Sequence, residues 1–81
     1  MTPAAVRAAV LESIYAIAPE AEDDDLPSNV SIRKELDLDS MDFLNVVTEV
    51  HTRLGVEVPE ADYGQIQTLD GFVSYVSSRL A

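Results

Sequence analysis

The sequence predicts an all-α protein, a four-helix bundle with a long first loop and a short third helix. Apolar residues recur at helical spacing in several segments of the 81-residue chain, and proline or glycine separates these segments. The one alternating stretch, Val56 to Val58, has no second strand to pair with, so we interpret it as a loop. Amphipathic segments without strand pairs are typical of small helical bundles.

The first helix is expected from about Pro3 to Ala18. Thr2 is a possible N-cap, Pro3 suits the first turn, and Pro19 ends the helix. Four apolar residues recur at helical spacing and define its buried stripe: Val6, Val10, Ile14 and Ile17.

A long connection follows, from Pro19 to about Leu38, and residues 20–25 give it an acidic run that ends in Asp24 and Asp25. A connection of about twenty residues is unusual in a compact domain. Residues 31–35 are expected to form a short helical turn. Apolar residues along the connection are expected to anchor it on the bundle: Leu26, Val30, Ile32, Leu36 and Leu38.

The second long helix is expected from Ser40 to Leu54. Asp39 is a good N-cap, Asp42 occupies the return position of a capping box, and Gly55 is a C-terminal stop. Met41 points nearly opposite to the apolar face. That face has Leu44 at its edge and consists of Phe43, Val46, Val47, Val50 and Leu54.

Two shorter elements complete the predicted bundle. A short third helix begins at residues 59–62 and carries Tyr63 and Ile66. Thr68 is the expected cap of the fourth helix. One apolar stripe is predicted on the fourth helix: Leu69, Phe72, Val73, Val76 and Leu80.

Composition limits the classes of function. Fifteen acidic and five basic residues give a net charge of −10, which disfavours nucleic acid and membrane surfaces as partners and favours a basic protein surface. The chain has no cysteine, so any thiol chemistry needs a prosthetic group. No segment is apolar enough to span a membrane or to serve as a signal peptide. We therefore expect a cytoplasmic, monomeric protein whose residues 1–81 form one domain.

Ser40 is the residue that says most about function. With Asp39 as the cap, Ser40 becomes the first helical residue, and its hydroxyl points outward without a capping role. Backbone amides and the helix dipole favour an anion at this end, so a phosphate ester on Ser40 would be stabilised. Spacing alone leaves a second interpretation open, in which Asp39 and Ser40 only start a helix.

Further segments share the spacing of one known family. They are Asp39-Ser40-Met41-Asp42; Leu44, Val46, Val47 and Val50; Gly55-Val56-Glu57-Val58-Pro59; and Ile66, Thr68-Leu69 and residues 72–76. With these residues, roughly the C-terminal half of the chain resembles the acyl carrier proteins. The N-terminal helix and the acidic loop agree in character. The family motif is Asp-Ser-Leu, and this chain has Met41 in the third place.

The resemblance implies a role and a cofactor. In acyl carrier proteins this serine carries 4′-phosphopantetheine, a covalent group from coenzyme A whose thiol holds an acyl group as a thioester. The resemblance therefore implies that Ser40 binds the cofactor, that a phosphopantetheinyl transferase attaches it, and that acyl-loading and acyl-using enzymes with basic patches are partners. The thioester chemistry belongs to the cofactor, so we predict no catalytic residue and no enzyme activity.

The resemblance also implies two surfaces. Partner recognition is assigned to Asp39, Met41, Asp42 and Glu49, which flank or follow the serine. An acyl pocket is expected inside the bundle, between the second long helix and the short third helix. Its expected lining is Val46, Val47, Val50, Val58, Tyr63 and Ile66.

The chain departs from typical fatty-acid-synthesis carriers on the outer face of the second long helix. That face usually continues acidic toward its C-terminal end, whereas here it reads His51-Thr52-Arg53, and Asn45 stands where an acid is common. The thinner acidic edge favours a specialised acyl or lipid pathway over general fatty-acid synthesis. A polyketide or aminoacyl carrier and an unmodified acidic helical adaptor remain alternatives.

Other chemistry fits poorly. An EF-hand loop starting at Asp37 would place Asp42 where glycine is required and Thr48 where a bidentate glutamate is required, so we predict no metal site. A serine hydrolase would need a nucleophile elbow, which is absent. The single histidine, His51, lies roughly 16 Å along the helix from Ser40 and is not placed to act as its base.

Overall fold

The computed structural model describes residues 1–23 and 26–80, which contain four α-helices and two 3₁₀ segments. The helices are α1 (Pro3–Ile17), α2 (Ile32–Glu35), α3 (Ser40–Leu54) and α4 (Leu69–Leu80). The first 3₁₀ segment is Pro19–Asp23, and the second, Glu60–Ile66, is the predicted short third helix. Helix α1 packs against both α3 and α4, and the second 3₁₀ segment packs against α4. The all-α prediction is confirmed.

Helix α1 begins and packs as its sequence predicts. The Thr2 hydroxyl accepts a hydrogen bond from the backbone N–H of Ala5 at 3.1 Å, and proline occupies the first helical position. Val6, Val10 and Ile14 have no exposed surface and belong to the core, whereas Ile17, the last residue of the predicted stripe, is only half-buried. The helix ends at Ile17, one residue earlier than expected.

The long connection is anchored as predicted, but it contains one element that the sequence did not reveal. This element is the first 3₁₀ segment, which buries Ala21. Two backbone hydrogen bonds fix the connection: Ile32 N donates to Gln67 O at 2.9 Å, and Asp70 N donates to Ser28 O at 3.0 Å. Asp24 and Asp25 of the predicted acidic run lie outside the described residues. Leu26 and Ile32 are buried, and Val30, Leu36 and Leu38 are half-buried.

Helix α4 corrects one detail of the prediction. Leu80, assigned to the apolar stripe, is 36% exposed, whereas Tyr75, left out of it, is buried. Tyr75 tolerates burial because its hydroxyl donates a hydrogen bond to Asp62 Oδ2 at 2.7 Å. Arg79 lies 3.3 Å from the same oxygen, and its guanidinium stands 4.8 Å from the centre of the Tyr75 ring. These contacts fasten the second 3₁₀ segment to α4.

A close backbone approach reinforces this fastening. Gly71, in the first turn of α4, faces the carbonyl oxygen of Gln65 so closely that a Cβ on Gly71 would lie 2.5 Å from it. The N–H of Gly71 donates to the Thr68 hydroxyl at 3.0 Å, which confirms Thr68 as the cap. Packing therefore requires glycine at this position. The backbone conformation does not, because the φ angle of Gly71 is not positive.

The substitution Gly71→Ala tests the close approach. Alanine normally stabilises a helix by about 1 kcal/mol relative to glycine. Here we expect the free energy of unfolding to fall by about 1–3 kcal/mol, because the new methyl group must displace backbone. Gly64→Ala is the control, since nothing lies within 4 Å of its added Cβ. Urea denaturation of both variants is the measurement, and a Gly71→Ala protein as stable as wild type would contradict the packing described.

The Tyr75 hydroxyl gives a pH test. The hydrogen bond to Asp62 raises the pKa of Tyr75, and burial raises it further, while the charge of Arg79 acts in the opposite direction. The folded state thus favours the protonated phenol. This stabilisation is fully present below the pKa of an unfolded tyrosine, about 10, and is lost as pH rises through the higher folded pKa.

We expect the stability difference between wild type and Tyr75→Phe to stay constant up to about pH 9 and to shrink above about pH 10. Tyr15→Phe is the control, because the Tyr15 hydroxyl makes no hydrogen bond to the described residues. Urea unfolding at several pH values provides the comparison. If the stability difference between wild type and Tyr75→Phe grew with pH, folding would lower the pKa of Tyr75 instead of raising it.

Candidate functional site

The start of α3 fixes the position of Ser40. Asp39 has an extended backbone, and its Oδ1 accepts a hydrogen bond from the N–H of Asp42 at 2.8 Å. The predicted cap is therefore confirmed. Among the hydrogen bonds of the described residues, the return bond of a capping box, from the Asp42 carboxylate to the Asp39 N–H, is absent. Ser40 is the first residue of α3 and is exposed, as predicted.

The buried face of α3 sets the rotation of the helix. Phe43, Val46, Val47 and Val50 are all buried, and Leu54 is half-buried. Gly55 ends the helix with φ of +69°, a left-handed conformation that glycine adopts without strain, and its N–H donates to His51 O at 2.8 Å. Because this face points into the core, the hydroxyl of Ser40 is left at the surface.

A groove lies beside Ser40, between the start of α3 and the second 3₁₀ segment. Its volume is about 370 Å³. Three separate parts of the chain line it: Arg33 from α2; Ser40, Phe43 and Leu44 from α3; and Glu60, Tyr63 and Gln67 from the second 3₁₀ segment and the residue after it. The groove therefore combines apolar walls with one cationic, one anionic and one amide side chain.

The groove and the residues expected to line an acyl pocket overlap at one position. Of the six residues expected to form an acyl pocket, Tyr63 alone lies on the groove described here. The other five are buried in the closed core: Val46, Val47, Val50, Val58 and Ile66. Three of them, Val46, Val47 and Val50, belong to α3, which packs against α1.

The predicted partner-recognition residues are spread along the exposed side of α3. Met41 is 65% exposed, and Leu44, one turn further on, is 42% exposed, so an apolar patch lies next to Ser40. Asp42 forms no ion pair within the described part of the chain. Glu49 differs, because its Oε1 lies 3.2 Å from Arg53 Nε, which neutralises part of its charge.

Five groove residues were not assigned to a site from the sequence: Arg33, Phe43, Leu44, Glu60 and Gln67. Arg33 Nε points to the carbonyl of Leu38 at 3.5 Å, and Gln67 Nε2 donates to the carbonyl of Tyr63 at 2.6 Å. Neither belongs to a motif, so only the three-dimensional packing of α2 and the second 3₁₀ segment reveals them. The sequence did contain a signal for Leu44, because the helical periodicity places it at the edge of the apolar face.

Neither a metal site nor a membrane-spanning helix occurs among the described residues. No group of His, Cys, Asp or Glu side chains there is arranged to hold a metal ion. None of the described helices has the length and apolar character needed to cross a membrane. His51 is exposed on α3, far along the helix from Ser40.

Comparison with known proteins places the chain in a family. Residues 6–76 match the family described as a phosphopantetheine attachment site. The acyl carrier protein of Lactobacillus johnsonii is 31% identical over 55 residues, which cover 68% of this chain and 69% of that protein. The acyl carrier protein of Renibacterium salmoninarum is 31% identical over 65 residues, covering 80% and 75%. That of Rubrobacter xylanophilus is 26% identical over 73 residues, covering 86% and 90%. The chain therefore belongs to the acyl carrier protein family, whose cofactor is 4′-phosphopantetheine.

Proposed function

We propose that this protein carries acyl intermediates as thioesters on a 4′-phosphopantetheine arm attached to Ser40. The observation that carries the proposal is an exposed serine at the first position of α3, within a chain that matches a phosphopantetheine attachment family over residues 6–76. The protein would act as a cytoplasmic monomer and deliver its cargo to enzymes of fatty-acid synthesis or of a specialised lipid pathway.

The residues around Ser40 fit such an arm. Ser40 is exposed and lines the groove. The groove walls also include the apolar side chains of Phe43 and Leu44 and the cationic side chain of Arg33. In the attachment, Ser40 Oγ attacks the phosphorus next to the pantetheine of coenzyme A. A phosphodiester forms, adenosine 3′,5′-bisphosphate leaves, and the serine proton is released. Once bound, the cofactor supplies a thiol, which this cysteine-free chain lacks.

The transferase would recognise charge and apolar contact together. Asp39 and Asp42 flank Ser40 in a chain of net charge −10, and Met41 and Leu44 add exposed apolar surface beside them. Opposite charge speeds the encounter, while apolar contact holds the complex. The same surface would serve the acyl-loading and acyl-using enzymes. Glu49 would contribute less than the two aspartates, because Arg53 pairs with it.

The acyl chain would shelter between α3 and the second 3₁₀ segment, where the groove reaches from Ser40 toward Tyr63. Each methylene removed from water contributes up to about 0.8 kcal/mol. The deeper predicted lining, which includes Val46, Val50 and Ile66, is buried in the core. A long chain would therefore have to open the core to reach it.

Ser40→Ala is expected to abolish attachment. Incubation with coenzyme A and a broad-specificity transferase should add the mass of one phosphopantetheine to wild type and none to the variant, and intact mass spectrometry measures both. The variant should stay folded, within about 0.5 kcal/mol of wild type, since alanine is well tolerated in a helix. Ser74→Ala, at an exposed serine of α4, is the control that should still be modified. Modification of the Ser40→Ala protein would refute the assignment.

Asp42→Lys is expected to slow attachment by removing complementary charge. The initial rate should fall several-fold at low salt, and its dependence on salt should weaken. Glu57→Lys makes the same change of charge in the exposed loop after α3, so it separates local recognition from net charge. If both variants reacted at the wild-type rate at low salt, charge around Ser40 would have no part in recognition.

A further inference from the structure

Phe43 joins the attachment residue to the core. It lies three residues after Ser40, so both side chains stand at neighbouring positions in the first turn of α3. Among the described residues, the buried face of α3 comprises four side chains, and of these Phe43 alone also lines the groove. It is 3% exposed, whereas Leu44, next to it, faces solvent. Phe43 therefore forms the boundary between the groove and the valines behind it.

The ring of Phe43 contacts two other aromatic rings. It meets Tyr63 of the second 3₁₀ segment edge to face, with centroids 6.5 Å apart and planes at 80°. It also contacts Phe72 of α4, with centroids 6.4 Å apart. Both arrangements lie in the range that aromatic pairs favour. The three rings thus link α3, the second 3₁₀ segment and α4 beneath the groove.

The backbone on the far side of the groove is fastened separately. Asp62, the residue before Tyr63, accepts the hydrogen bond of Tyr75, and Gln65 lies against Gly71 of α4. These contacts resist a movement of the second 3₁₀ segment away from α4. Phe43 and Tyr63 line the groove and contact each other, so a path from the groove into the core would open between their side chains.

We propose that Phe43, closed against Tyr63, sets the length of acyl chain that the protein shelters. The inference rests on the proposed function and adds a specificity-determining residue to it. Short chains lie in the groove of about 370 Å³ beside Ser40. Long chains have to separate Phe43 from Tyr63 before they reach Val46, Val47 and Val50. The gain in stability from each added methylene should consequently stop once the groove is full.

Thermal unfolding of loaded proteins tests this limit. Wild type and Phe43→Leu are loaded at Ser40 with butyryl, octanoyl and palmitoyl groups from the corresponding acyl-coenzyme A, and intact mass confirms each loading. Between octanoyl and palmitoyl we expect the melting temperature to rise by less than about 1 °C in wild type and by about 4 °C or more in Phe43→Leu. Leucine keeps the site apolar and removes the ring contact with Tyr63.

Phe72→Leu is the matched control, because it removes the other aromatic contact of Phe43 without touching the groove. It should lower the melting temperature of every form and leave the dependence on chain length as in wild type. Tyr63→Leu opens the boundary from the opposite side and should behave like Phe43→Leu, so it replaces that variant if the latter does not fold. The rate at which hydroxylamine cleaves the thioester is a second readout. We expect the palmitoyl form of Phe43→Leu to be cleaved several-fold more slowly than the palmitoyl form of wild type.

The outcomes separate the two levels of the proposal. The melting temperature could depend on chain length equally in fully loaded wild type, Phe43→Leu and Tyr63→Leu. That result would overturn the role of Phe43 and leave the carrier function intact. The role of Phe43 would also be overturned if Phe72→Leu changed the dependence of melting temperature on chain length as much as Phe43→Leu does. General loosening of the core would then explain the effect. If wild type gained no mass from coenzyme A, the proposed function would fail, and this inference with it.

Discussion

The rotation of α3 about its axis is the constraint on which the rest of the site depends. Asp39 fixes where the helix begins through its 2.8 Å hydrogen bond to the Asp42 N–H, and the buried face from Phe43 to Val50 fixes which side meets the core. Ser40 is then exposed at the first position, and Met41 projects into solvent beside it. A cap contributes about 0.5–2 kcal/mol, whereas a buried apolar side chain contributes about 1.5–3 kcal/mol, so burial governs the rotation and the cap governs the starting residue.

The same orientation of α3 that stabilises the core also leaves no open space inside it for an acyl chain. The valines of α3 pack tightly and leave the cavity at the helix edge, where three parts of the chain meet. A carrier needs apolar space only when it is loaded, and an empty apolar cavity would weaken a domain of this size. A core closed by Phe43, as proposed above, would reconcile these demands, because space would open only when a chain supplied contacts to fill it. Ser40 stays outside the core, exposed at the start of α3.

The sequence predicted what depends on local chemistry. Helical periodicity, the Asp39 cap and the Gly55 stop place α3 to the residue, and with it the exposure of Ser40 and Met41. Contacts between elements could not be predicted in the same way. Arg33 and Gln67 reach the groove only because α2 and the second 3₁₀ segment pack there, and the burial of Tyr75 depends on a hydrogen bond to Asp62, thirteen residues away. Periodicity alone describes an apolar face, and it does not say whether that face encloses a pocket or a closed core.

If the arm on Ser40 lies against the groove formed with the second 3₁₀ segment, its attachment will change the environment of residues on both sides of that groove. A comparison of NMR chemical shifts between the unmodified protein and the form bearing phosphopantetheine tests this directly. We expect the largest changes at Ser40 and its helical neighbours and at residues across the groove, Tyr63 and Gln67, while those in the middle of α1 stay in place. Changes confined to the first turn of α3, with none at Tyr63 or Gln67, would show that the arm extends into solvent and that the groove does not hold it.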